Sequence, residues 1–206
     1  MPSESVPLTH LEFHPVTPDR WRDLEKLFGA RGACGGCWCM WWRLKRSEFD
    51  QKKGAGTRRA LKKLIATGQV PGLLAYAEGE PVGWCSVAPR HDFSALERSR
   101  ILKPVDDQPV WSVVCFFVAR PFRRKGVTQQ LLTAAIEYAR EQGAKIIEGY
   151  PVEPTRWPFI PPLSRQADYF SIFAPFNFDF PNFCHLSDYS IHLLQFIQLE
   201  RLESCS

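Results

Sequence analysis

The feature that most constrains the fold is an apolar run, Val110–Val118, followed by a basic turn and a helical pattern. β-Branched and aromatic side chains dominate the run, which predicts a strand buried on both faces. Pro121 cannot donate to a central ladder, so we expect the strand to end near Arg120. Apolar residues then recur with helical spacing from Val127, and Gly143 is typical of a helix end. The stretch therefore predicts a strand–loop–helix unit.

The loop of this unit carries three consecutive cations, Arg123–Lys125, and then Gly126. The first amides of a helix have no internal partners, and the macrodipole places partial positive charge there. A glycine lets the backbone approach a phosphate closely. The loop therefore suits a ligand with several phosphate charges, although a solvated basic turn would show the same pattern.

Two common phosphate loops are absent from the sequence, because it contains neither G-x-x-x-x-G-K-[ST] nor G-x-G-x-x-G. The segment Arg123-Arg-Lys-Gly-Val-Thr128 instead resembles the acyl-CoA loop of the GCN5-related N-acetyltransferase (GNAT) superfamily, Arg/Gln-x-x-Gly-x-Gly/Ala. Thr128 departs from the small residue of that pattern. Val118-Ala-Arg-Pro-Phe122 is similar to the strand exit of the family, and the resemblance covers roughly Leu8–Pro154.

The resemblance implies an α/β (α+β) fold with a mixed, mainly antiparallel central sheet flanked by helices. It implies a splayed parallel strand pair at the acyl-CoA site and acetyl-CoA as co-substrate. The residues that it assigns to this co-substrate lie on the central strand and its loop: Phe116, Phe117, Val118, Arg123, Arg124, Lys125, Gly126, Val127 and Thr128. We expect an N-acetyltransferase core over residues 1–154 and an atypical segment over residues 155–206.

The remaining patterns match the order of elements in the superfamily. Leu96 and Ile101 are the expected anchors of a polar, irregular stretch before the central strand. The other predicted elements are a strand at Leu8–Phe13, a helix from Thr17, a helix at Ser47–Thr67 interrupted by Gly54 and Gly56, a hairpin over residues 72–88, and a strand at Ala144–Tyr150. The last strand would close a right-handed βαβ crossover.

A Cys-x-x-Cys-x-Cys stretch, Cys34–Cys39, follows the first helix and leads into a cluster of tryptophans. Its thiols could bind zinc or form a redox pair. The alternative interpretation is a compact loop that packs on its own aromatic side chains. We expect no bound metal, because no second Cys pair or His-x-x-x-His completes a tetrahedral site. By the resemblance we favour an acceptor pocket lined by Trp38, Trp41 and Trp42.

The resemblance also implies direct acetyl transfer to an amine of unknown identity, which requires a group that takes a proton. The central strand contains no carboxylate. Glu148 and His91 are the candidate bases, and Tyr150 or Tyr169 is the candidate acid. The alternative function is a non-catalytic CoA-binding or protein-interaction domain of the same fold.

The composition of the chain limits the classes of partner that we expect it to bind. A 206-residue chain with 45% hydrophobic residues can bury one sizeable core, and a net charge of +4 is too small to favour a nucleic-acid partner. No apolar run reaches the length of a membrane span and the start lacks a signal-peptide pattern, so we expect a cytoplasmic protein with cysteines as thiols. The expected acceptor is a small-molecule or peptide amine, and the chain is expected to be a monomer or homodimer.

The character of the sequence changes beyond Pro154, where eight of the 15 Phe residues lie between Phe159 and Phe196. Three interpretations stay open: a divergent C-terminal half, an aromatic interaction segment, or an altered reading frame. Because exposed aromatic sequence promotes aggregation, we expect the segment from about Thr155 onward to fold poorly.

Overall fold

The computed structural model describes residues 10–150 and the backbone of residues 197–199. These residues form a six-stranded sheet in the order β1-β2-β3-β4-β5-β6. Its strands are β1 (Glu12–Pro15), β2 (Leu73–Ala77), β3 (Glu80–Pro89), β4 (Trp111–Val118), β5 (Ile147–Gly149) and β6 (Ile197–Leu199). Every neighbouring pair is antiparallel except β4 and β5, which are parallel. The predicted mixed, mainly antiparallel sheet is thus confirmed.

Five α-helices lie in the described residues: α1 (Trp21–Phe28), α2 (Arg46–Lys52), α3 (Ala55–Ala66), α4 (Ser94–Glu97) and α5 (Val127–Glu141). The sequence predicted one interrupted helix over Ser47–Thr67, and the structure divides that region at Lys53 and Gly54. The interruption follows from the left-handed backbone of Gly54, whose φ is +91°. No helix in this part of the chain has the length and apolarity to cross a membrane.

Helices cover both faces of the sheet, which explains why its central strands are apolar throughout. The face that contains Cys85 and Val113 packs against Leu131 and Ala135 of α5. The opposite face, which contains Leu74 and Trp84, packs against α1, α3 and the loop between them, with Leu24, Leu61 and Ile65 fully buried. Because both faces of these strands are buried, apolar side chains are favourable at successive positions and do not alternate with polar ones.

Gly83 of β3 sets how closely α5 approaches the sheet. A Cβ atom at this position would lie 2.9 Å from Cδ1 of Leu131 and 3.0 Å from Cγ1 of Val127. Both side chains are buried and have little room to move away. The glycine therefore lets the first turn of α5 lie directly against the middle of the sheet.

The stretch between β3 and β4 is anchored differently from the prediction. Leu96 is fully buried as expected, but Ile101 is 50% exposed. Its neighbour Leu102 is buried instead, and the hydroxyl of Ser99 accepts a 2.9 Å hydrogen bond from the Leu102 amide. The short turn closed by Ser99 thus directs the residue after Ile101 inward.

The atypical C-terminal segment lies outside the described residues except for β6. That strand pairs antiparallel with β5, with Glu148 opposite Gln198. The expectation of a poorly folded segment from Thr155 onward, and the candidate acid Tyr169, otherwise concern residues outside the described part of the chain.

Candidate active site

The central opening of the fold lies where β4 and β5 diverge. The two parallel strands are paired only from Trp111 opposite Ile147 to Val113 opposite Gly149. β4 then continues to Val118, and residues 114–117 are half-buried. On its other edge β4 stays paired with β3 to Val118. Among the described residues, β5 does not extend along residues 114–118, and we call this edge of β4 the opening.

A β-bulge at Val114 lies at this point of divergence. Ser86 of β3 pairs with Cys115, but the next residue, Val87, pairs with Val113, so Val114 is an extra residue on β4. A bulge sharpens the local twist of its strand and shifts the alternation of its side chains. Ser112 and Cys115 therefore face the same side of the sheet, although an odd spacing would place them on opposite sides of a regular strand.

The loop after β4 combines left-handed backbone with positive charge. Arg124 and Gly126 have φ values of +62° and +75°, and Gly126 is the N-cap of α5. Nε of Arg123 donates a 2.9 Å hydrogen bond to the carbonyl of Val118, which ties the loop to the end of β4. The first amides of α5 have no partners within the helix and lie beside the cations of the loop, with Lys125 among them. This arrangement can bind a polyanion.

A buried polar cluster lies at the other end of the opening. Oε1 of Glu148 accepts hydrogen bonds from Nη1 of Arg90 at 2.5 Å, from Oγ of Ser112 at 2.6 Å, and from the hydroxyl of Tyr150. Nη1 of Arg90 also donates to the Tyr150 hydroxyl at 2.8 Å. All four residues are buried, so the carboxylate and the guanidinium form an ion pair that is largely shielded from water.

Tyr150 connects this cluster to the aromatic residues of the first loop. Its ring stacks on the indole of Trp42, with centroids 6.2 Å apart and planes 23° apart. Burial, and then the neighbouring Glu148 carboxylate, raise the pKa of Tyr150 above its ordinary value. The hydroxyl therefore keeps its proton at neutral pH and can donate it within a hydrogen-bonded chain.

His91 lies apart from the cluster. It belongs to a short 3-10 helix, Arg90–Asp92, that directs the Arg90 side chain inward and the His91 ring outward. The His91 side chain is 79% exposed, and its Nε2 lies 3.6 Å from a carboxylate oxygen of Asp92. The structure thus brings Glu148 and Tyr150 together and leaves His91 at the surface.

The three tryptophans predicted to line one pocket lie in three different environments. Trp38 is buried in the core, where its ring stacks on Trp21. Trp41 is 39% exposed and lies under the Arg46 guanidinium, 4.2 Å from the ring centroid. Trp42 stacks on Tyr150 and is the member of the three that lies beside the polar cluster. The Trp38 indole is therefore part of the core of the described residues.

Two residues of the cluster were missed by the sequence analysis. Arg90 stood at the start of a stretch interpreted as irregular, and Ser112 lay within the apolar run of β4. A polar side chain inside a buried strand needs a hydrogen-bond partner, and this requirement was the available signal for Ser112. No comparable local signal marked Arg90, because its partner is 58 residues away in sequence.

A family model provides the first comparison with known proteins. A family model described as acetyltransferase (GNAT) family matches residues 38–154, which is more than half of the chain. A search of the curated proteins finds no match.

Solved structures provide a second comparison. The PaiA N-acetyltransferase of Thermoplasma acidophilum, in complex with coenzyme A, is 12% identical, with a TM-score of 0.51 over 94% of this chain and 99% of that chain. The aminoglycoside N-acetyltransferase AAC(6')-Iy, in complex with CoA, is 15% identical, with a TM-score of 0.52 over 91% of this chain and 100% of that chain. A GNAT-family acetyltransferase of Listeria monocytogenes is 12% identical, with a TM-score of 0.50 over 91% of this chain and 92% of that chain. At these identities the likeness concerns the fold.

The buried ion pair predicts a large stability cost for removing one partner. Glu148→Gln leaves the Arg90 guanidinium buried without its counter-charge, so we expect the free energy of unfolding to fall by about 3–5 kcal/mol, measured by urea denaturation. The matched control is Glu80→Gln, because Glu80 pairs with Lys26 at an exposed site, where removal should cost less than about 1 kcal/mol. Equal losses in the two variants would contradict the structural importance of the buried pair.

Proposed function

Because the chain belongs to the acetyltransferase (GNAT) family, we propose that it transfers an acetyl group from acetyl-CoA to an amine. The observation that carries the proposal is the divergence of β4 from β5 directly beside the N-terminus of α5. The opening exposes strand backbone at one end and a cationic helix start at the other. An acyl-CoA has amides along its pantetheine arm and phosphates at its far end, so the two ends of the opening suit the two parts of the ligand.

In this proposal each part of the opening has a separate role. The backbone of Phe116, Phe117 and Val118 would hold the amides of the pantetheine arm. The first amides of α5, from Val127 and Thr128 onward, would hold the pyrophosphate together with the loop residues Arg124, Lys125 and Gly126. Arg123 would act by fixing the loop, because its Nε is bonded to the Val118 carbonyl.

Acetyl transfer also requires a neutral amine, and the polar cluster offers a route for its proton. The Tyr150 hydroxyl donates to Oε1 of Glu148. Its oxygen can therefore take a proton from the amine while the hydroxyl passes its own proton to the carboxylate. The amine then becomes the nucleophile without forming a tyrosinate. Backbone amides of β4 near the bulge would stabilise the oxyanion that develops on the acetyl group. His91 is the weaker candidate for the base because its ring lies at the surface.

A second function, a non-catalytic CoA-binding or protein-interaction domain, is favoured by one observation. Oε1 of Glu148 already accepts three hydrogen bonds, one of them from the buried Arg90. A carboxylate in this setting suits a structural role as well as proton transfer. Both proposed functions use the same cofactor site, but only the acetyltransferase function includes turnover of an amine.

The cofactor site predicts a specific loss of affinity. In the variant Arg124→Ala/Lys125→Ala, two charges beside the helix start are removed, and we expect acetyl-CoA to bind at least tenfold more weakly in calorimetry. S-Acetylpantetheine lacks the pyrophosphate, so its affinity should not change. Arg59→Ala/Lys63→Ala removes the same charge from the exposed face of α3 and serves as the control. Equal weakening of both ligands, or equal effects of the two variants, would contradict the proposed phosphate site.

The proton route predicts a selective loss of turnover. Tyr150→Phe keeps the ring that stacks on Trp42 but removes the hydroxyl, so we expect kcat to fall by about 100-fold while acetyl-CoA affinity is retained. His91→Ala, at an exposed position, should stay within twofold of the unmodified chain. The assay follows CoA release with a panel of a monoamine, a diamine, an aminoglycoside and a short peptide. Binding of acetyl-CoA without turnover of any amine would favour the non-catalytic function.

A further inference from the structure

Two thiols meet on the side of the sheet opposite α5, and a third lies on the same loop as one of them. Sγ of the buried Cys39 lies 3.5 Å from Sγ of Cys115 on β4, and the indole N–H of Trp84 donates to it at 3.0 Å. Cys37 is half-buried and precedes Cys39 by two residues on the same loop. We call Cys37 in the loop, Cys39 in the core and Cys115, one residue after the bulge, the row of thiols.

The loop that carries two of these thiols has an unusual backbone and is firmly held. Trp38 and Cys39 are consecutive non-glycine residues in the left-handed region, with φ values of +45° and +50°. Such conformations persist only where the surroundings fix them. The carbonyl of Gly36 accepts hydrogen bonds from the Gly54 amide at 3.0 Å and from the Thr57 hydroxyl at 2.8 Å. The strained turn is thus anchored to the start of α3.

This turn changes the acidity of Cys37. The neighbouring Cys39 thiol, and then backbone amides of the turn, lower the pKa of Cys37 to about 6, although burial opposes the shift. The same contacts and burial raise the pKa of Cys39. The Cys37 thiol donates a hydrogen bond to the Gly32 carbonyl, with 3.9 Å between sulfur and oxygen. The lowered pKa increases the thiolate fraction of Cys37 near neutral pH, and the thiolate is the reactive form of cysteine.

We propose that Cys37, Cys39 and Cys115 form a thiol–disulfide relay that ends in a Cys39–Cys115 disulfide. The oxidant is a low-molecular-weight disulfide such as glutathione disulfide. The Cys37 thiolate attacks it and releases one glutathione thiolate, which takes up the proton of Cys39. The Cys39 thiolate then attacks the Cys37 sulfur and displaces the second glutathione as a thiolate, which takes up the proton of Cys115. The Cys115 thiolate attacks the Cys39 sulfur, which forms the Cys39–Cys115 disulfide and releases Cys37 as a thiolate. Two protein thiols are oxidised, and one glutathione disulfide is reduced to two glutathiones.

The disulfide would link the loop to the strand that borders the opening. The two sulfurs must approach from 3.5 Å to the bond length of about 2.05 Å, which draws β4 and the loop together at Cys115. Phe116 follows directly and belongs to the backbone proposed above to hold the pantetheine arm. The link from oxidation to acetyl-CoA binding therefore rests on the proposed function, while the relay itself does not.

The relay is tested on the full, reduced chain with glutathione disulfide as the probe. The reaction is stopped with acid and N-ethylmaleimide, and peptide mass spectrometry maps every cysteine. We expect a Cys39–Cys115 disulfide, with Cys34 and Cys85 still alkylated. Cys115→Ser should stop at a disulfide that includes Cys37, and Cys37→Ser should slow formation of the Cys39–Cys115 bond at least tenfold at pH 7.

The control variant is Cys34→Ser, because Cys34 lies exposed on the same loop and outside the row of sulfurs. It should leave the rate within twofold. The relay is overturned if Cys39 and Cys115 stay reduced, or if Cys34→Ser slows the reaction as much as Cys37→Ser. Alkylation of Cys37 gives an independent check, since it should remain fast down to about pH 6.

A second arm measures acetyl-CoA affinity by calorimetry before and after oxidation. We expect at least tenfold weaker binding by the oxidised chain and full recovery with dithiothreitol. Unchanged affinity despite a mapped disulfide would overturn the link to the opening. Failure of the reduced chain to bind acetyl-CoA would instead contradict the proposed function, and the disulfide map would still decide the relay.

Discussion

Every backbone N–H and C=O of a central strand needs a hydrogen-bond partner, and β4 meets this requirement unequally on its two edges. Its β3 edge is paired to Val118, but within residues 10–150 its β5 edge is paired only to Val113. The bulge at Val114 turns the strand at this point. The opening that results, the helix start beside it and the polar cluster at its other end all depend on this change of pairing. In the proposed function, the amides along the pantetheine arm bind the backbone at this edge of β4.

Local patterns in the sequence were sufficient to predict the frame of this opening. The apolar run, Pro121, the basic loop and Gly126 each act over a few residues, and the structure has β4 end at Val118 and α5 begin at Val127. The site's side chains could not be predicted in the same way. Arg90 meets Glu148, and Cys39 meets Cys115, across separations of 58 and 76 residues. Such contacts are determined by the register of the strands and not by spacing along the chain.

The bulge also explains why two unlike clusters share one face of the sheet. Ser112 lies before it and belongs to the ion-paired cluster, and Cys115 lies after it and belongs to the row of thiols. The first loop reaches both, with Trp42 stacked on Tyr150 and Cys39 beside Cys115. The Cys- and Trp-rich stretch thus connects the core to the opening. The core position of Trp38 is part of this connection.

The central claim is that the opening beside β4 holds acyl-CoA, and amide hydrogen exchange with and without CoA tests it most directly. The first amides of α5 lack partners within the helix, and among the described residues β5 pairs with β4 no further than Val113. We predict that CoA slows exchange at residues 114–118 and 124–129 together. Slowed exchange elsewhere, with these two segments unchanged at saturating CoA, would contradict the account.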